Sequence, residues 1–299
     1  MDPASAPTRT PVPSPPGAVR QLRPAMRALL LVFSLLTLLG VIALYVLSPA
    51  TDRSFAWTIE PPLTAALLGA GYAAGCVLVL LSLRDPVWAH SRLAVLTILV
   101  FVLVTLAATL VHLDRFHLQP EFAGLPLLAR GAAWFWLTVY VVVPVAMVVS
   151  LVVQERAPGV DPPPGHPVPA ALRAALGLES AVLLVVGVCL WAAPSTATTL
   201  WPWPLTPLTA RVTAAWLVAF GMATALAALS GDLERLRTSS IAYTVFGALL
   251  LVAIARYPGT VDWNGAPAWV LTGLTVAIVL TGAAGWRLAP APHRPEPRS

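Results

Sequence analysis

Long stretches of Leu, Val, Ala and aromatic residues alternate with short polar joints eight times along the chain. The apolar runs begin near Ala28, Thr64, Leu93, Gly131, Leu176, Val212, Ser239 and Trp269, and none carries a charge near its middle. At about 1.5 Å per helical residue, each run can cross the roughly 30 Å hydrocarbon layer of a bilayer. Lipid offers no partner for bare peptide groups, so each run must be a helix. The pattern predicts an all-α fold, a polytopic membrane helical bundle of eight transmembrane helices.

The joints divide the chain further. Residues 1–24 carry seven Pro and little apolar content, which predicts a disordered cytoplasmic tail. A second Pro-rich stretch, residues 157–170, separates the fourth run from the fifth and reads as a stiff cytoplasmic linker. Residues 288–299 resemble the first tail. The expected units are therefore a tail, a four-helix unit over 25–156, a linker, a second four-helix unit over 171–287, and a tail.

The two units share polar landmarks in the same order. Pro62-Leu63-Thr64-Ala65 opens the second run and Pro207-Leu208-Thr209-Ala210 the sixth, an offset of 145 residues. Ser91 and Ala94 begin the third run as Ser239 and Ala242 begin the seventh, at an offset of 148. Asp85 and Asp232, then Asp114 and Asp262, follow in step, and Gly131-Ala132 matches Gly265-Ala266. Because the matches use Pro, Thr, Asp and Gly at helix ends, the expectation is an internal repeat. Each unit has an even number of spans, so the copies are two parallel four-helix repeats about an axis normal to the membrane.

The loops Phe55-Ala56-Trp57-Thr58-Ile59-Glu60-Pro61-Pro62 and Trp201-Pro202-Trp203-Pro204-Leu205-Thr206-Pro207 resemble those of uncharacterised bacterial eight-span integral membrane proteins. The resemblance runs from the first run through the eighth. That family has no known activity, so the resemblance implies a fold and a bacterial plasma membrane, and nothing chemical.

Charge decides sidedness. All 18 basic residues are Arg. With a cytoplasmic N-terminus, thirteen fall inside and only Arg53, Arg115, Arg130, Arg211 and Arg256 outside, a positive-inside bias that places both termini in the cytoplasm. The net +5 thus encodes topology, and no nucleic-acid partner is expected. The first run is too long for a cleavable signal and reads as a retained helix. Cys76 and Cys189 read as packing thiols.

Small residues suggest how the helices pack. Gly71 and Gly75 form a small-xxx-small face that lets two backbones approach; Gly282 and Gly285 are a weaker case. Pro144 should kink the fourth helix. Pro62 and Pro207 suit a first helical turn, with Thr206 as N-cap.

Chemically capable side chains gather at the outer ends of the helices: Glu60, His112, Asp114, Arg115, His117, Glu121, Arg211 and Asp262, with Trp57, Trp201, Trp203 and Trp263 as interfacial anchors. Five Arg and five carboxylates there predict an ion-paired lid. Arg211 opposes its helix dipole and calls for a nearby acid, Asp262, Asp114 or Glu60. His112 and His117 are about 140° apart around a helix and cannot share an ion, so no metal or cofactor is expected. Glu179 either relays protons, if the fifth helix starts near Leu172, or stands at a helix N-terminus, if it starts near Gly177; the second reading is preferred.

No P-loop, dinucleotide fingerprint or nucleophile elbow occurs in the sequence. The leading expectation is binding or transport of a lipid or small apolar or amphipathic molecule between the two halves, near the outer face. A scaffold recruiting proteins through its Pro-rich tails ranks second. A membrane enzyme on a lipid-linked substrate, using His112, Asp114, His117 and Glu60, ranks third.

Overall fold

The computed structural model describes residues 17–290, and in it the eight apolar runs are eight helices, each long and apolar enough to cross a membrane. They are α1 (Pro24–Val41, prolonged by a π turn over Ile42–Val46), α2 (Pro62–Arg84), α3 (Trp88–Val111), α4 (Leu127–Glu155), α5 (Ala170–Ala192), α6 (Pro207–Ser230), α7 (Leu233–Arg256) and α8 (Ala266–Leu288). Every helix starts two to six residues before its apolar run. The first turns are polar or Pro-bearing: Pro24, Pro62 and Pro207 supply preset φ angles where no N–H is needed.

Local chemistry fixes the helix ends. Thr206 caps α6 by accepting from the Thr209 amide (3.2 Å), while Thr209 Oγ1 accepts from the Thr206 amide (2.9 Å). Gly231, at φ +65°, closes α6 in the left-handed region, and Asp232 caps α7 by accepting from the Glu234 amide at 3.1 Å.

α2 and α6 form the centre. Of their apolar stretches 67% and 61% are buried inside the protein, against 22% for α1 and 28% for α4. α2 packs on α7 and α3 on α6, while α1, α5 and α8 lie against α2, α6 and α7 respectively. α4 touches α3 more sparingly than α8 touches α7, which leaves space beside it.

Glycines set the close approaches, though not where the sequence suggested. A Cβ on Gly71 would lie 2.6 Å from the Trp216 indole, so this face admits a ring and not a backbone. Among the glycines of the eight helices, the tightest backbone contacts fall at Gly69, against Tyr45 of the π turn, and at Gly282, against Thr244 N and Ser240 O of α7. The small residues of α8, expected to matter less, thus seat α7 backbone to backbone.

Both ends of the bundle are covered by loops. At the arginine end, residues 17–23 and the 157–169 linker are pinned across the helices. Arg20 N donates to Val160 O (2.9 Å), Leu22 N to Pro86 O (2.8 Å) and Val168 N to Gly231 O (3.1 Å). Residues 1–16 and 291–299, most of the two expected tails, lie outside the described residues. At the tryptophan end, residues 48–61 fold inward, burying Phe55, Ala56, Trp57 and Ile59.

Candidate functional site

The space beside α4 is a cavity of about 600 Å³. It is walled by α1, α2, α3 and α4, with Trp216, Ala219 and Phe220 of α6 at the back. It lies mainly among the first four helices, and Trp216, Ala219, Phe220 and Ala242 of the second half close it, so both halves contribute to its wall. Leu39 and Ile42 of α1 and Leu127, Leu128 and Phe135 of α4 line it and are all exposed, so the cavity opens on the apolar outer surface of the bundle. Ile42 and Ala43 of the π turn line this flank, and α4 packs on α3 more sparingly than α8 does on α7.

Inside, the lining is almost wholly apolar and aromatic. The Tyr72 and Tyr140 hydroxyls bond one another at 2.6 Å across the cavity, joining α2 to α4. Pro144, one turn beyond Tyr140, has no N–H to give the Tyr140 carbonyl, and α4 nevertheless continues as one helix to Glu155. Trp136 stacks on Tyr140 (centroids 4.3 Å) and Phe101 on Trp216 (3.8 Å). The roof is loop 48–61: Phe55 lines the space, and Trp57 packs on Phe55 and Trp136 at 4.7 and 4.9 Å.

The outer-end residues singled out in the sequence do not form one cluster. Trp57 and Trp203 are not interfacial anchors: they are 2% and 3% exposed, plugs beneath the loops, and Trp203 Nε1 donates to Thr64 Oγ1 (2.9 Å). Trp201 lies edge-on to Trp203. The large exposed indoles are Trp134, Trp269 and Trp286, which the sequence reading passed over because no Pro-rich motif marks them. Trp263 packs against Trp269 and donates to Pro258 O.

His117 is fully enclosed. Its Nδ1 faces the Phe55 carbonyl (3.0 Å) and its Nε2 the Thr58 hydroxyl (3.2 Å). A carbonyl can only accept, so Nδ1 carries the proton and the neutral ring clamps loop 48–61. Burial pushes His117 below the ordinary histidine value. Both ring nitrogens are thus engaged with loop 48–61.

Arg211 finds no carboxylate. Its Nη1 donates to His112 Nε2 (2.6 Å) and its Nε to the Trp191 carbonyl at the end of α5 (3.0 Å), with the guanidinium 5.7 Å from the Trp191 ring centroid. Asp114 pairs instead with its neighbour Arg115 (3.0 Å), and the Asp262 carboxylate accepts from the Asn264 amide. Glu60 sits in a shallow, separate groove with Arg53 and Thr206. Since Arg can only donate, His112 Nε2 is an acceptor and His112 is neutral; burial and the Arg211 charge both lower its pKa.

The expected ion-paired outer lid is absent among the described residues: the two pairs there, Arg53–Asp52 and Arg115–Asp114, join sequence neighbours. The long-range pairs lie at the arginine end. Glu155 of α4 is gripped by Arg20 (3.0 Å) and through two contacts by Arg92 (2.8 and 3.0 Å), and Arg92 also reaches Asp161 of the linker (2.6 Å). Balanced charge on one side told nothing about reach. Outer carboxylates sit on short, separate turns, whereas the linker can fold its acid back onto α3.

Two further positions differ from expectation. α5 begins at Ala170, so Glu179 lies well inside a span and not at its N-terminus; it is 5% exposed. Cys189 is exposed on the outside of the bundle, not packed within it. Among the described residues no three His, Cys, Asp or Glu side chains gather as metal ligands would.

The chain is an all-helical bundle of eight helices long and apolar enough to cross a membrane, with an apolar cavity that opens on its surface. No family model, no curated protein and no solved structure matches it.

Proposed function

We propose that this protein binds a lipid or another apolar or amphipathic molecule, which enters the 600 Å³ cavity sideways from the bilayer between α1 and α4. The observation that carries the reading is the mouth itself. A cavity of this size, within the range of small-molecule sites, has an apolar and aromatic wall and a rim of exposed Leu, Ile and Phe. An apolar occupant would leave lipid for a similar medium, and aromatic faces would set its orientation. The Tyr72–Tyr140 pair is the natural contact for a polar group on such a molecule, because either hydroxyl can turn from its partner toward a ligand.

The same reading takes the bundle as two parallel repeats. Exchanging the halves turns the α2–α7 contact into the α6–α3 contact, and both are principal interfaces of the central layer. The excess of Arg at the end bearing Arg20, Arg92 and Arg235 supports taking that end as the cytoplasmic one, in a bacterial plasma membrane on this reading. Reporter fusions should then put residue 120 outside and residue 160 inside.

The test of binding is native mass spectrometry of the protein released from nanodiscs containing a total bacterial lipid extract. Wild type should retain a discrete lipid-sized adduct. Gly131 lines the cavity and has nothing within 4 Å of its ideal Cβ, so Gly131→Trp can project a ring into the opening without disturbing the helix backbone. The adduct should fall severalfold in that variant. Wild type without an adduct, or equal retention by both, overturns the proposal.

A further inference from the structure

Glu179 is a carboxyl group within a membrane span, and it has no cationic partner among the described residues. It stands nine residues after Ala170, about 13 Å along the helix. Its Oε1 accepts from Thr281 of α8 (2.7 Å) and its Oε2 from Tyr243 of α7 (3.0 Å). Three helices thus meet at one carboxyl, and no structural need dictates an ionisable group there, since a neutral amide could bond the same two hydroxyls by accepting from one and donating to the other. An acidic side chain is costly at this depth and marks a functional site by default.

A second observation concerns access. Tyr243 and Thr281 also line a small cavity of about 50 Å³ whose other walls carry the hydroxyl-bearing residues Thr97, Thr224, Ser239 and Ser240. Leu172, Leu236 and Gly285 carry this cavity toward the arginine end, while Leu78, Thr97, Phe220 and Ala242 are shared with the wall of the large cavity. The small cavity therefore lies between the arginine end and the large one, with the donors of Glu179 in its side.

We propose that Glu179 is a proton-binding site, loaded from the arginine end through the small, largely apolar cavity whose wall carries several hydroxyls and is shared by α2, α3, α5, α6, α7 and α8. A proton from water adds to one carboxylate oxygen, turning it from acceptor to donor. Thr281 can yield by turning its hydroxyl to its own helix backbone, as Thr37, Thr97, Thr224 and Thr275 do. The protonated oxygen then donates to Thr281 Oγ1, and Tyr243 keeps its bond to the other oxygen.

The surroundings leave that proton uncontested. On α5 the nearest charged residue is Arg173, whose Nη2 reaches toward Gly231 at the arginine end. The α6 guanidinium, Arg211, is at the opposite end. On α7, Glu234 faces His166, Arg235 faces Asp232, and Arg237 faces the Pro290 carbonyl. Arg256 is at the far end of α7, bonded to Tyr45 O, and Arg287 lies in the last turn of α8. Among the described residues, Tyr243 is the one other titratable group bonded to the carboxyl.

Infrared difference spectra of wild type against Glu179→Gln, recorded in nanodiscs from about pH 5 to about pH 9, test this directly. The expected result is a buried carboxylic-acid carbonyl band that loses intensity as pH rises and is wholly absent from the variant. Dicyclohexylcarbodiimide, an apolar reagent for protonated carboxyls, should label Glu179 with the same pH dependence. A band or label that does not change with pH, or neither at any pH, overturns the proposal. Neither readout needs an occupied large cavity, so the lipid-binding reading stands or falls separately.

Discussion

The indole of Trp216 fills the notch left by the missing side chain of Gly71, and the two positions are 145 residues apart, the offset that relates Pro62 to Pro207. In one half the position carries no side chain, and in the other it carries the largest one available. A bulky ring at both would force α2 and α6 apart; Gly at both would leave a void at the centre of the bundle. The fit therefore makes the interface one-sided.

Gly71→Ala tests that fit. The added carbon would stand 2.6 Å from the ring, and Trp216 is boxed by Phe101 and Tyr72, so the ring cannot retreat cheaply. The substitution should destabilise the protein by about 1–3 kcal/mol, read as a lower unfolding midpoint in detergent. Gly131→Ala, whose added carbon meets nothing within 4 Å, should not lower the midpoint and should raise it slightly, because it removes a glycine from a helix.

The Tyr72–Tyr140 bond yields to a double-mutant cycle. Tyr72→Phe strands the Tyr140 hydroxyl in apolar surroundings, and Tyr140→Phe does the reverse. Each should cost about 1 kcal/mol, while the double variant should cost clearly less than the two together. Strict additivity in SDS unfolding would show that the hydroxyls do not depend on one another.

How much of this was written in the sequence varied with the range of the interaction. Eight spans, the Thr206 cap and the Pro starts at Pro62 and Pro207 follow from local rules, and each is in place. The apolar runs understated the helices, because polar first turns such as Leu233-Glu234-Arg235 lie outside the greasy window. Partners across the bundle were not legible. Arg211 signalled that it needed something to bond, but a neutral His112 and a backbone carbonyl serve as well as an acid, and neither advertises itself. The cavity was least visible of all. It lies where the π turn of α1 lines the space and α4 packs sparingly on α3, and neither feature has a sequence signature in an unbroken run of Leu, Val and Ala.

His117 sets a pH dependence of known sign. Burial holds the folded ring neutral, with its pKa depressed below that of the unfolded chain. The unfolded chain therefore binds the proton first as pH falls, and stability present above about pH 6.5 is lost progressively below it until the folded ring also titrates. The loss should be smaller in His117→Gln, which keeps an amide able to donate to Phe55 O and accept from Thr58. Unfolding midpoints that fall equally in both proteins between about pH 6.5 and pH 5 would assign the loss to other groups.

Arg211 and His112 make the same argument at a distance from loop 48–61. The guanidinium donates to His112 Nε2, a bond that protonating the ring would destroy and replace by repulsion between two cations. Burial lowers the His112 pKa first and the Arg211 charge lowers it further. Arg211→Gln removes the charge but leaves an amide able to donate, so His112 should titrate at a higher pH in the variant, approaching an ordinary histidine without fully reaching it. NMR titration of labelled His112 reads this shift alone. An unchanged midpoint would mean that burial by itself holds the ring neutral and that the 2.6 Å contact carries no electrostatic coupling.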